Sequence, residues 1–152
     1  MRLTIAAVGR LGDGPALRLY RDYAGRLSWP IALKEVEERR KLPAAERMAR
    51  EAALLAAACP RGARIVALDE RGRQLTSAGF AQLLGKWQGE GVGEVAFAIG
   101  GADGIDPEFK KRASLVLSLG AMTWPHLLCR ALLAEQLYRA QSILTGHPYH
   151  RE

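Results

Sequence analysis

Three segments of the chain hold residue types from which a reactive site can be built. The first is Ala96-Phe97-Ala98-Ile99-Gly100-Gly101-Ala102-Asp103-Gly104, an apolar run that passes straight into a glycine-rich turn. Glycine permits positive φ and lets a ligand come close to the backbone, so the segment reads either as a tight strand-to-helix turn or as one side of a binding loop. It matches neither G-x-G-x-x-G nor G-x-x-x-x-G-K-[ST], so a dinucleotide or triphosphate site is not supported.

The second segment is Leu117-Ser118-Leu119-Gly120-Ala121-Met122-Thr123-Trp124-Pro125-His126. Thr123 is placed to cap a following helix and Pro125 to stand in its first turn, where a missing N–H costs little. The Leu-Gly-Ala-Met stretch before them is an apolar loop with spare amides and carbonyls, as stacking and edge recognition of an adenine-like ring require. His126 is expected to be a first-turn helix residue without a catalytic role.

The third segment is the tail, Thr145-Gly146-His147-Pro148-Tyr149-His150-Arg151-Glu152. Gly146 stops a helix and Pro148 prevents its resumption. The last six residues still hold two histidines, a tyrosine and an arginine, a density unusual for a passive tail. His147 and His150 lack further suitable ligands nearby in sequence, so a metal site is not expected. Phosphate contact by Arg151 and base stacking by Tyr149 or a histidine match the chemistry better. Asp69-Glu70-Arg71-Gly72 reads as a polar turn or a ligand loop, and neither a G-x-S-x-G elbow nor a convincing Cys-His nucleophile pair is present.

Short apolar runs must position these loops. Leu3 to Val8, Ile31 to Val36, Ala63 to Leu68, Glu94 to Ile99 and Leu115 to Leu119 read as strands. Pro15 to Leu27, Pro43 to Ala58, Ser77 to Trp87, Pro107 to Arg112 and Pro125 to Leu144 read as helices. The alternation predicts an α/β fold, a mainly parallel sheet flanked by helices, with ligands at the carboxyl ends of the strands. A length of 152 residues and 49% hydrophobic content fit one domain spanning 1–152.

Cys59 and Cys129 lie far apart and neither belongs to a C-x-x-C pair, which suits a reducing, cytoplasmic setting. No secretory signal or membrane-spanning stretch is expected. The net charge of +6 suits a polyanionic partner, although a solvated basic surface would have the same charge. The last helix is apolar nearly all the way round, from Leu127 through Leu144. Either its own domain engulfs it or a second subunit covers its other face, and the small size of the chain favours the subunit.

With these residues in hand, the chain resembles the trefoil-knotted SPOUT methyltransferases. Within them it is most similar to the bacterial branch that methylates N3 of a pseudouridine in large-subunit ribosomal RNA. The likeness runs through LTIAAVG, VALDERGRQLTSAGFA, FAIGGADGI, LSLGAMTWPH, LCRALLAEQLYRA and the closing HPYHRE, so it covers essentially the whole chain. It implies a C-terminal deep trefoil knot, a rare exception to chain topology. It also implies an S-adenosyl-L-methionine pocket carried by Leu68, Gly100, Gly101, Leu119, Gly120, Ala121, Met122, Thr123 and Trp124. A homodimer is implied in which one subunit's tail lies near the cofactor of the other.

For the chemistry, the resemblance implies His150, Arg151 and Tyr149 as catalytic residues, acting on the imide proton, the carbonyl charge and the orientation of the base. Arg130 and His147 are the candidate RNA contacts, with Arg130 alternatively supporting the tail. Trp124 departs from the aliphatic residue common in this loop, and Gly120-Ala121 replaces a Ser-Ala type pair, changes that bear on adenine packing. No added RNA-binding domain is expected, and the ribosome is expected to supply most of the recognition surface. The alternatives are a knotted methyltransferase acting on another RNA, such as transfer RNA, and a non-catalytic ribosome-binding factor.

Overall fold

A computed structural model describes residues 1–151. The strands are β1 (Arg2–Val8), β2 (Ile31–Val36), β3 (Arg64–Gln74), β4 (Glu94–Ile99) and β5 (Leu115–Ser118). The helices are α1 (Pro15–Arg26), α2 (Ala44–Ala58), α3 (Ser77–Gly89), α4 (Pro107–Arg112) and α5 (His126–Thr145). Each lies where the hydrophobic pattern places it, within a few residues at the ends. β3 alone runs well past its expected limit.

The strands form one sheet in the order β2-β1-β4-β3-β5, and every pairing between them is parallel. Strands covered on both faces are apolar on both, and alternation sorts the sizes. Leu3, Ile5, Val95, Phe97 and Ile99 face the core shared with α1, α3 and α5. Ala6, Ala67, Ala96 and Ala98 face the core against α2 and α4. The small side chains let Ala52 and Leu55 of α2 close onto the sheet, while Phe80 and Trp87 of α3 fill the deeper side.

The extension of β3 has a specific consequence. Leu117 of β5 is in register with Leu68 and again with Arg73, so residues 69–72 leave the end of β5 and rejoin it. At Gly72 the approach is so close that a Cβ would lie 2.7 Å from the Leu117 carbonyl carbon. Only glycine fits there.

α5 packs between α1 and α3. Its Ala131, Leu133, Ala134, Leu137 and Ala140 are fully buried within the chain. Its own domain therefore buries one face of the helix, while Leu128, Leu132 and Ile143 stay half-buried and Leu144 exposed. The helix ends as expected, with Gly146 at φ +70. Its start differs from the expectation. Pro125 is the N-terminal cap residue, and the Thr123 hydroxyl donates instead to Glu70 Oε2 at 3.1 Å. Thr123 thus ties the loop after β5 to the loop inside β3. Among the described residues no helix is long and apolar enough to cross a membrane.

Candidate functional site

A cavity of about 470 Å³ opens at the carboxyl ends of β3, β4 and β5. That volume is within the range of small-molecule sites. Three loops make its walls: Leu68 to Arg71 from β3, Ile99 to Ile105 after β4, and Leu117 to Thr123 after β5, with Ala121 the one residue of that last stretch that does not line it. Trp124, Pro125, His126 and Cys129 close it from the side of α5, and Lys110 from α4.

Local chemistry shapes each loop. After β4 the chain folds back on itself, with Gly104 N–H donating to Gly101 O at 3.0 Å. A Cβ on Gly100 would sit 2.7 Å from the Gly104 carbonyl carbon and 2.7 Å from Ile105 Cγ1. Asp103 leaves this turn to meet Arg47 of α2, whose Nε donates to Oδ2 at 2.9 Å. Behind the turn lies the buried Glu51, with a carboxylate oxygen 3.1 Å from where a Cβ of Gly101 would be. Burial raises the Glu51 carboxyl above its ordinary range, against the pull of Arg47.

After β5, the Ser118 hydroxyl donates to Gly120 O at 2.8 Å and accepts from Gly120 N–H at 3.2 Å. This clamp holds Gly120 at φ +131, a conformation that favours glycine. Beyond it Met122 is 73% exposed and Trp124 41% exposed, two large apolar groups set at the cavity rim. A flat aromatic ligand would cover them. In the β3 loop, Asp69 accepts from Lys110 Nζ at 2.8 Å and from Arg71 N–H at 2.9 Å. Burial pushes its carboxyl up, but the Lys110 and Arg71 hydrogen bonds outweigh it and hold the group below its usual value. His126 is held below the ordinary histidine range by burial and by the Arg130 charge.

The tail is elsewhere. Tyr149 packs against Tyr138 and Tyr23, with ring centroids 4.7 Å and 6.4 Å away. Its hydroxyl donates to Glu135 Oε1 at 3.0 Å, and burial together with the Tyr23 and Glu135 hydrogen bonds raises the phenol. His150 Nδ1 is 3.2 Å from Arg139 Nη1. His147 is exposed and accepts from Tyr149 N–H at its Nδ1. Arg151 is exposed. None of these residues lines the cavity.

Arg130 differs most from its expected place at the RNA surface or under the tail. Its side chain is fully buried. Nη2 donates to Val8 O and Gly9 O, each at 2.7 Å, and Nη1 to His126 O at 3.2 Å. The guanidinium thus fastens the start of α5 to the end of β1, a structural duty that leaves no face for RNA. Glu135 and Arg139 are functional candidates that sequence reasoning passed over. Their i, i+4 spacing on a helix was the available signal.

The chain matches, over residues 1–150, a family model described as a predicted SPOUT methyltransferase. It belongs to the SPOUT methyltransferase family. Its relatives include proteins named ribosomal RNA large subunit methyltransferase H. That of Paramagnetospirillum magneticum is 59% identical over 151 residues, and that of Rhodospirillum centenum 56% over 151, each comparison covering 99% of both chains. The protein of that name from Paracoccus denitrificans is 51% identical over 160 residues, covering 100% of both. As a SPOUT enzyme the chain transfers a methyl group from a donor, and its glycine turn, Ser118 clamp and exposed Met122 and Trp124 meet at one cavity.

Proposed function

We propose that this SPOUT enzyme methylates N3 of a pseudouridine in large-subunit ribosomal RNA, using S-adenosyl-L-methionine, as a cytoplasmic homodimer of single-domain, knotted chains spanning 1–152. The convergence of three separate loops on one cavity carries the reading. Leu68, Gly100, Gly101, Leu119, Gly120, Met122, Thr123 and Trp124 all line it. The residues fit the cofactor: Met122 and Trp124 offer apolar contact for an adenine ring, and glycine backbone offers close approach. Asp69 and Glu70 supply carboxylates for hydroxyl groups and positive charge. When bound, the cofactor supplies an electrophilic methyl group on a sulfonium.

The remaining work belongs to the chain's own residues. N3 of the base carries a proton that must leave, and the resulting negative charge spreads over the flanking carbonyl oxygens. Tyr149 orients the base, while His150 and Arg151 act at the imide, where the proton leaves and the negative charge develops. His147 contacts RNA. Because the tail stands away from its own chain's cavity, a second copy is the natural source of these groups.

The test is methyl transfer from labelled adenosylmethionine to large subunits, intact ribosomes and free RNA from a strain lacking the protein, with the nucleoside identified by mass spectrometry. Label in 3-methylpseudouridine is the expected outcome. Tight cofactor binding with no transfer to any of the three would reject the assigned substrate.

A further inference from the structure

The role of His150 can be narrowed by the contacts of the tail. Glu135, on α5, accepts at Oε1 from Arg139 Nε at 3.0 Å and from the Tyr149 hydroxyl at 3.0 Å. Its other oxygen, Oε2, accepts from Gln136 Nε2 at 2.7 Å. Arg139 is therefore gripped from one side by a carboxylate, and its guanidinium carbon lies 4.8 Å from the centre of the Tyr149 ring. From that fixed position Nη1 reaches His150 Nδ1 at 3.2 Å.

A guanidinium N–H can only donate, so Nδ1 must be the acceptor in this pair. A neutral imidazole that accepts at Nδ1 carries its proton at Nε2. Its one basic lone pair is already engaged by Arg139. What the ring presents outward is a fixed Nε2–H donor. Resting on the N3-methylation reading above, we propose that His150 acts as a hydrogen-bond donor through Nε2 to a carbonyl oxygen of the imide, with Arg139 and Glu135 as positioning residues that set its tautomer.

The step balances without a protein base. The N3 proton passes to water, leaving an imidate whose charge lies on N3 and the flanking oxygens. The N3 lone pair then forms the N–C bond as the C–S pair goes to sulfur and cancels the sulfonium charge. A donor at the carbonyl oxygen favours the imidate, and losing one such donor costs catalysis about 100- to 1000-fold.

Glutamine separates the two roles, since its amide N–H can replace an Nε2–H donor yet cannot take a proton. On large subunits, His150→Gln is expected to keep kcat within about tenfold of wild type while His150→Ala loses about 100-fold or more. Equal loss in both variants overturns the proposal. Long-range proton–nitrogen NMR of histidine-labelled protein reads the tautomer without any substrate. The Nε2–H form is expected alone in wild type and Arg139→Lys, and the Nδ1–H form is expected to appear beside it in Arg139→Met; an Nδ1–H form in wild type overturns the proposal. Should wild type methylate none of the ribosomal substrates, the substrate reading fails and the NMR result still decides the tautomer.

Discussion

Replacing Arg130 by methionine separates a structural guanidinium from an RNA-binding one. Methionine keeps a comparable length and apolar stem but donates nothing, so the bonds to Val8 O, Gly9 O and His126 O are lost. A buried carbonyl left without its partner costs about 1–3 kcal/mol, and the Val8 and Gly9 carbonyls are the ones held at 2.7 Å. Part of this is offset, because the variant no longer buries a cation whose Nε has no hydrogen-bond partner. A net loss of about 3 kcal/mol follows, and at about 2–4 °C per kcal/mol for a chain of this size the midpoint falls by about 6–12 °C. Thermal unfolding followed by circular dichroism measures it. A midpoint within about 2 °C of wild type, joined to a raised and less salt-dependent KM for ribosomal particles, would refute the reasoning and return Arg130 to the RNA surface.

Gly100→Ala puts a Cβ into backbone of the glycine turn, where a strain of about 1–3 kcal/mol is expected to weaken adenosylmethionine binding about tenfold or more by calorimetry. Asp69 stabilises through Lys110 with a lowered carboxyl pKa, so its contribution is fully present above the ordinary aspartate value of about 4 and is lost as pH falls through the lower folded value. The stability difference between wild type and Lys110→Met in denaturant titrations should accordingly shrink below about pH 4; a difference that grows there contradicts the assignment. Tyr149→Phe removes the hydroxyl that ties the tail to Glu135. Its kcat should fall about tenfold while cofactor affinity stays within about twofold, and faster amide exchange confined to the tail would accompany the change.

Reading function from this chain succeeded where chemistry is local. The alternation of strand and helix was visible because each element's apolar spacing is its own, and the loops after β4 and β5 announced themselves by glycine adjoining an apolar run. The extension of β3 was not visible, since Asp69 to Gln74 is polar and joins the sheet only because β5 is there to receive Arg73 and Gln74. Thr123 looked like a helix cap for a sound local reason. Glu70, 53 positions away, takes its hydroxyl instead.

The sequence by itself determined the α/β class, the strands and helices, the two glycine-bearing loops and the unusual tail, because propensity, capping and turn chemistry act over a few residues. Tertiary structure decided which loops share one cavity, that α5 is buried between α1 and α3, and that the tail rests on Glu135 and Arg139 away from that cavity. It also turned Arg130 inward onto carbonyls 122 and 121 positions earlier in the chain. An arginine on a helix looks the same in sequence whether it meets solvent, RNA or a buried carbonyl. The difference lies in the order in which the strands pair, which brings the end of β1 beneath the start of α5 and leaves two carbonyls there in need of a donor.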